Sequence, residues 1–172
     1  MAHSTHRLWR ILKHRWVDDT DTRRALDGAT LDRLAARVAD SETRHSGEIR
    51  ISVEAGLPLS YLWQGLGARE RAVTLFGKLR VWDTEDNNGV LIYLLLADHA
   101  IEIVADRGLS RHVPAEHWQA VLAGMREAFR AGRYEAGLMQ AVDAVEALLL
   151  RHFPLAPGQA NPNELPDGVD RR

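Results

Sequence analysis

Residues 83–106 read DTEDNNGVLIYLLLADHAIEIVAD, and this stretch decides the fold. It opens with an acidic, amide-rich loop from Asp83 to Asn88. Gly89 to Ala97 then runs apolar without interruption, bounded on both sides by turn-forming residues. A run so short and continuous predicts a central strand buried on both faces. Asp98-His99 makes a tight turn. Ala100 to Ala105 alternates and predicts the returning arm of a hairpin.

Upstream, Glu48 to Glu54 reads EIRISVE, with Ile49, Ile51 and Val53 alternating with polar residues, a half-buried strand. Residues 55–58 form a turn. Residues 59–80 are mostly helical, with Ala72, Leu75, Phe76 and Leu79 on one stripe and a break at Gly65 and Gly67. A strand, a helical crossover and a second strand predict a right-handed parallel pair. So apolar a central strand needs helices over both faces. One helix follows Thr30 as N-cap, through Leu31, Leu34, Ala35 and Val38, and ends near His45. Two more come after the hairpin. The first enters at Pro114, buries Trp118, Val121, Leu122, Met125 and Phe129, and stops at Gly132. The second spans about Tyr134 to His152 and stops at Pro154. The expected fold is α/β, a three-layer α/β/α sandwich with a small mixed sheet. There is no internal repeat.

The chain divides into an N-terminal amphipathic arm (1–29), the α/β domain (30–154) and a proline-rich tail (155–172) expected to be disordered. In the arm, Leu8, Ile11 and Leu12 fall at helical spacing beside Trp9 and Trp16, and basic residues interleave with them. Asp18, Asp19 and Asp21 then break the pattern and suit the cap of a next turn. Such a segment, residues 6–17, lies either on a membrane surface or against its own domain or a second subunit. Its shortness and the acids that follow favour packing.

The chain has 172 residues, 45% of them hydrophobic and 27% charged, as expected of one globular domain with a real core. A net charge of -2 gives no pull toward nucleic acid. No cysteine is present, which excludes disulfides, thiolate metal sites and cysteine nucleophiles. Basic residues interrupt the first seventeen positions, so they do not read as a signal peptide, and the longest apolar run is too short to span a bilayer. The expectation is a soluble, cytoplasmic protein.

Three segments carry a family resemblance: HSGEIRISVE (45–54), the long stretch from Ala72 to Leu109, and the helical pair from Glu116 to Leu149. Together they resemble the TPM domain family, of which this looks like a soluble bacterial-type member. The match runs from about Leu31 to Pro154. Its most specific parts are Ser46-Gly47-Glu48, Asn88-Gly89-Val90-Leu91 and Asp106-Arg107-Gly108-Leu109. The resemblance implies an α/β/α sandwich, an acid-phosphatase-like activity, and acidic residues near strand ends that hold a divalent cation. The chain departs from many members in having neither a recognisable signal peptide nor a membrane-spanning or glycine-rich tail.

The acidic loop is the best candidate for chemistry. Asp83, Glu85, Asp86, Asn87 and Asn88 offer carboxylate and amide oxygens, which suit calcium or magnesium. The loop is not an EF-hand: glycine stands seventh from Asp83, and the twelfth residue is Leu94. The predicted topology also brings the start of one strand (Glu48) and the end of another (Asp106) to the same rim. The candidate metal set is therefore Glu48, Asp83, Asp86 and Asp106, which would need a cation to offset mutual repulsion. Simpler readings stand beside it: a solvated turn, an Asp106 helix cap or ion pair with Arg107, and a solvent-facing Glu48. A metal-assisted phosphate hydrolase would polarise phosphoryl oxygen at such a cluster, with Arg107 stabilising negative charge.

Other patterns point to structure. His45-Ser46-Gly47 is not a nucleophile elbow. His112 and His117 lack the spacing of a helical metal pair, and Gly65-Leu66-Gly67 lacks the third glycine of a dinucleotide loop, so no organic cofactor is implied. Two functions remain: a non-catalytic protein-interaction module with a divalent-cation site, and a metal-dependent phosphatase. An exposed Trp63 beside an open pocket would favour the first. A closed acidic pocket with perturbed carboxylates would favour the second.

Overall fold

The computed structural model describes residues 2–17 and 19–172, the side chains of residues 2–8 and 19 excepted. In chain order the elements are α1 (Ala2–Trp16), α2 (Asp19–Ala25), α3 (Gly28–Glu42), β1 (Ile49–Glu54), α4 (Leu59–Gln64), α5 (Ala68–Lys78), β2 (Val90–Leu95), β3 (Ala100–Ala105), α6 (Arg107–Ser110), α7 (Ala115–Arg130), α8 (Tyr134–His152) and β4 (Asp170–Arg171).

The strands lie in the order β3-β2-β1-β4. β1 and β2 are parallel, with Ile49 opposite Val90, and β2 and β3 form the antiparallel hairpin, with Ile92 opposite Ile103. Every residue of β2 is buried, because the sheet is covered on both faces. On one face Ile49, Ile51, Val53, Val90, Ile92 and Leu94 pack under side chains of α3, α7 and α8, including Leu34, Phe129 and Val145. On the other, Leu91, Tyr93 and Leu95 meet Leu62, Ala72 and Leu75 of α4 and α5. The alternation of β1 and the continuous run of β2 follow directly from these two cores. The expected mixed sheet between helical layers is what the chain forms.

Polar groups on the second face are tightly paired. Arg71 of α5 donates to both oxygens of Glu54, and the Tyr93 hydroxyl donates to Glu54 at 2.7 Å, all three residues being buried. The expected break between α4 and α5 falls at Gly65, whose φ of 74° is the left-handed conformation glycine adopts freely. No helix among the described residues is long and apolar enough to cross a membrane.

Three boundaries differ from expectation. The helix expected to start after Thr30 begins at Gly28, because the Asp27 carboxylate accepts the Thr30 N–H at 2.8 Å and is itself the N-cap. The arm also holds α2, a full helix where the sequence pattern marked only the cap of a next turn. The tail is not disordered. Asp170–Arg171 pair in parallel with Ser52 and Val53, Leu165 is buried in the second core, and the Arg50 guanidinium donates to the carbonyls of Pro166 and Gly168. Its order comes from contacts with β1, which no local periodicity announces.

Candidate functional site

The loop after α5 and the turn after β3 meet at one end of the sheet. Gly108 N–H donates to the Asn87 carbonyl at 2.8 Å, and Asp106 N–H donates to the Gly89 carbonyl at 2.9 Å. The approach is close: a Cβ on Gly108 would stand 2.4 Å from the Asn87 carbonyl oxygen and 2.5 Å from that of Asp86. Asn87 takes a left-handed φ of 52°, and its side-chain oxygen accepts from Arg107 Nε at 2.8 Å.

Asp86 and Asp106 are thus brought to the same end. Asp86 Oδ2 accepts from the Ser46 hydroxyl at 3.1 Å, and Asn88 Nδ2 donates to that hydroxyl oxygen at 3.1 Å. Asp106 caps α6 through Oδ1, which accepts the Arg107 N–H at 2.7 Å. Two oxygens here are buried without a hydrogen-bond partner, Asn88 Oδ1 and Asp106 Oδ2.

The other two predicted ligands lie apart from this arrangement. Asp83 is exposed and ion-paired with Arg80 at 3.3 Å. The Glu48 carboxyl does not face solvent: it is fully buried beneath the tail, where Oε2 accepts the Leu165 N–H at 3.0 Å and Oε1 has no partner. Among the described residues, no group of three or more His, Asp or Glu side chains is placed to hold a metal ion.

A second acidic place, absent from the sequence reading, lies under the tail. Glu42, at the end of α3, is buried; Oε1 accepts the Ile49 N–H at 2.7 Å and Oε2 is unpartnered. Burial pushes its carboxyl up to about 9, and the negative charges of Glu48 and Asp167 push the same way, against the Ile49 hydrogen bond. Burial likewise raises Glu48, while backbone hydrogen bonds from Glu164 and Leu165 pull it back. A cavity of about 320 Å³ opens beside Glu42, Asn161 and Asp167. One signal in the sequence pointed here: Glu42 follows Val38 at i+4, an acid on the apolar stripe of its helix.

His45 is buried, and both ring nitrogens are engaged. Nδ1 donates to the Gly47 carbonyl at 3.0 Å, which leaves Nε2 to accept from the Ser41 hydroxyl at 2.8 Å. Burial lowers its pKa, favouring the neutral ring. His112 stacks on His152 with ring centroids 4.9 Å apart. Trp118 packs against the first core and lines a cavity of about 370 Å³ along β3, beside Arg69, Glu102 and Arg126. Trp63 is exposed beside an open hollow formed with Leu59, Ser60 and Gln64. The exposed Trp63 beside an open hollow is the feature set out for the module; the perturbed carboxylates Glu42 and Glu48 are present as well, but the cavity beside Glu42 is open rather than closed.

A family model described as the TPM domain matches residues 20–148. Among solved structures, the chain is similar to the BA42 protein of the psychrophilic bacterium Bizionia argentinensis, determined by NMR. The TM-score is 0.73 at 24% identity, over 86% of this chain and 95% of that one, a likeness of fold. No curated protein matches.

Proposed function

This chain belongs to the TPM domain family, and from that premise we propose that it is a non-catalytic protein-interaction module that holds a divalent cation at the Asp86–Asp106 rim. The observation that carries the reading is the pair of buried, unpartnered oxygens, Asn88 Oδ1 and Asp106 Oδ2. Leaving such an acceptor unsatisfied costs about 1–3 kcal/mol each. A hard cation satisfies them in the way it favours, with carboxylate and amide oxygens and water completing the shell. The Asp86 carboxylate, facing the same end, supplies charge.

The acids beneath the tail answer the same electrostatic problem differently. Glu42 is neutral at physiological pH because its carboxyl titrates at about 9, so a proton relieves the repulsion there. That contrast supports the rim as the cation site. Trp82 is exposed next to Asp83, at the shoulder of the acidic loop, and gives a protein partner an aromatic anchor beside the charge. The imidazole of His45 is committed at both nitrogens, which favours binding over base catalysis.

Calorimetric titration of metal-stripped protein with calcium and with magnesium tests the reading, alongside Asp86→Ala. Saturable binding that the variant loses is expected. No binding at millimolar metal would remove the cation site. Cation-dependent hydrolysis of a phosphate monoester, abolished by Asp86→Ala and Asp106→Ala together, would replace the module with the phosphatase.

A further inference from the structure

Among the described residues of α1, His14 and Ile11 mark the face that packs on the domain. Its His14 accepts the Leu57 N–H through Nδ1 at 3.0 Å, and a Cβ on Gly56 would stand 2.6 Å from the His14 carbonyl oxygen, so helix and turn are in direct contact. Ile11 packs toward the second core. The opposite face carries Trp9, Leu12 and Trp16 at i, i+3 and i+7, and these are 68%, 57% and 84% exposed. Together with Lys13 and Val17 they line an apolar hollow of about 390 Å³. α4, against which α1 packs, adds Leu59 and a Trp63 that is 70% exposed.

Charge accompanies this apolar face. Residues 2–17 contain no Asp or Glu but include Arg7, Arg10, Lys13 and Arg15, in a chain whose net charge is -2. Arg10 and Lys13 both turn to the single carboxylate of Asp98, at 3.6 and 3.2 Å, and Arg15 is exposed. We propose that the α1–α4 face docks on an anionic lipid surface.

Tryptophan settles at the headgroup level of a bilayer, with its ring in the apolar boundary and its N–H toward water. Basic residues beside it are drawn to anionic headgroups, at about 1 kcal/mol each near the surface. A second copy of the chain suits the face less well. A two-fold contact would set α1 against its own copy and bring like charges together. Fifteen residues make a marginal helix in free solution. Here the contacts with α4 and Leu57 form the helix in advance, so lipid binding does not bear its ordering cost. The proposal is independent of the cation rim.

Co-sedimentation of the full chain with vesicles tests it, comparing phosphatidylcholine alone with phosphatidylcholine mixed with phosphatidylglycerol. The chain is expected to pellet with the anionic vesicles only, with a blue shift of tryptophan emission and a bound fraction that falls as salt rises. Changing Trp9→Ser and Trp16→Ser together should weaken vesicle binding about tenfold or more. Leu150→Ala, an exposed position on α8 across the sheet, should bind as the parent does. Circular dichroism checks that both variants keep the fold. Absence of pelleting with anionic vesicles overturns the proposal. A vesicle-free dimer that the double tryptophan variant dissolves also overturns it, by assigning the face to a second copy.

Discussion

Arg71 grips Glu54 with two charge-assisted hydrogen bonds, 2.8 Å from Nε and 2.6 Å from Nη2, inside the layer between α5 and the end of β1. The Tyr93 hydroxyl donates to the same carboxylate, and the guanidinium lies 5.3 Å from the centre of the Tyr61 ring. Removing one partner strands the other in the core. Arg71→Ala is expected to destabilise the fold by about 3–5 kcal/mol. Tyr93→Phe should cost about 1 kcal/mol, since the carboxylate keeps its guanidinium. Urea unfolding of both variants checks the ordering. Equal small losses would mean that the pair contributes little.

A second expectation concerns pH. Glu42 has an ordinary value of 4.5 and is raised to about 9 when folded. A raised folded value means that the folded chain binds this proton more tightly than the unfolded one. The resulting stability is full below about pH 4.5 and is lost as pH climbs toward 9. Glu42→Gln keeps an oxygen for the Ile49 N–H and offers an amide toward Asp167. The variant should therefore lose part of the alkaline decline and be more stable than the parent at pH 8 to 9, by on the order of a few kcal/mol. Parallel pH slopes for parent and variant, in unfolding free energy against pH, would show that Glu42 does not titrate in this way.

The close seat of Gly108 on the acidic loop gives a third. An added methyl group would meet two carbonyl oxygens of the loop backbone, which cannot swing aside as a flexible side-chain tip can. Gly108→Ala should push the loop off the Asp106 turn, lower stability by about 1–3 kcal/mol and weaken cation binding at the rim. Thermal unfolding and metal titration read the two effects separately. A variant as stable as the parent would mean that the loop yields without cost.

The sheet was legible because its signals are local. The unbroken run through Val90–Leu95 and the alternation at Ile49, Ile51 and Val53 each report how many faces of their own strand are buried. That Asp86 and Asp106 fall at the same end of the sheet was also legible, since it follows from the parallel crossover and the hairpin. The tail was not. Leu165, Pro166 and Asp170 show no periodicity, and their order depends on Glu48, Arg50 and Ser52, which are far away in the chain. The burial of Glu48 escaped for the same reason: its position was read from the strand, and its cover comes from the tail. Glu42 left a faint mark, an acid on an apolar stripe, which helix periodicity flags only as an exception.

The strand order places β1 one step from the edge, with only the two residues of β4 and the tail that leads to them beyond it. Without that tail, the free backbone groups of a buried, β-branched strand would face water and could template another chain. The C-terminal segment therefore covers the edge at which such pairing would start. Arg50 fastens it, and the twofold pairing of Asp170, with the Ser52 hydroxyl and with Arg172, pins its end. A stretch that contributes little to the core thus covers one of the two edges of the sheet.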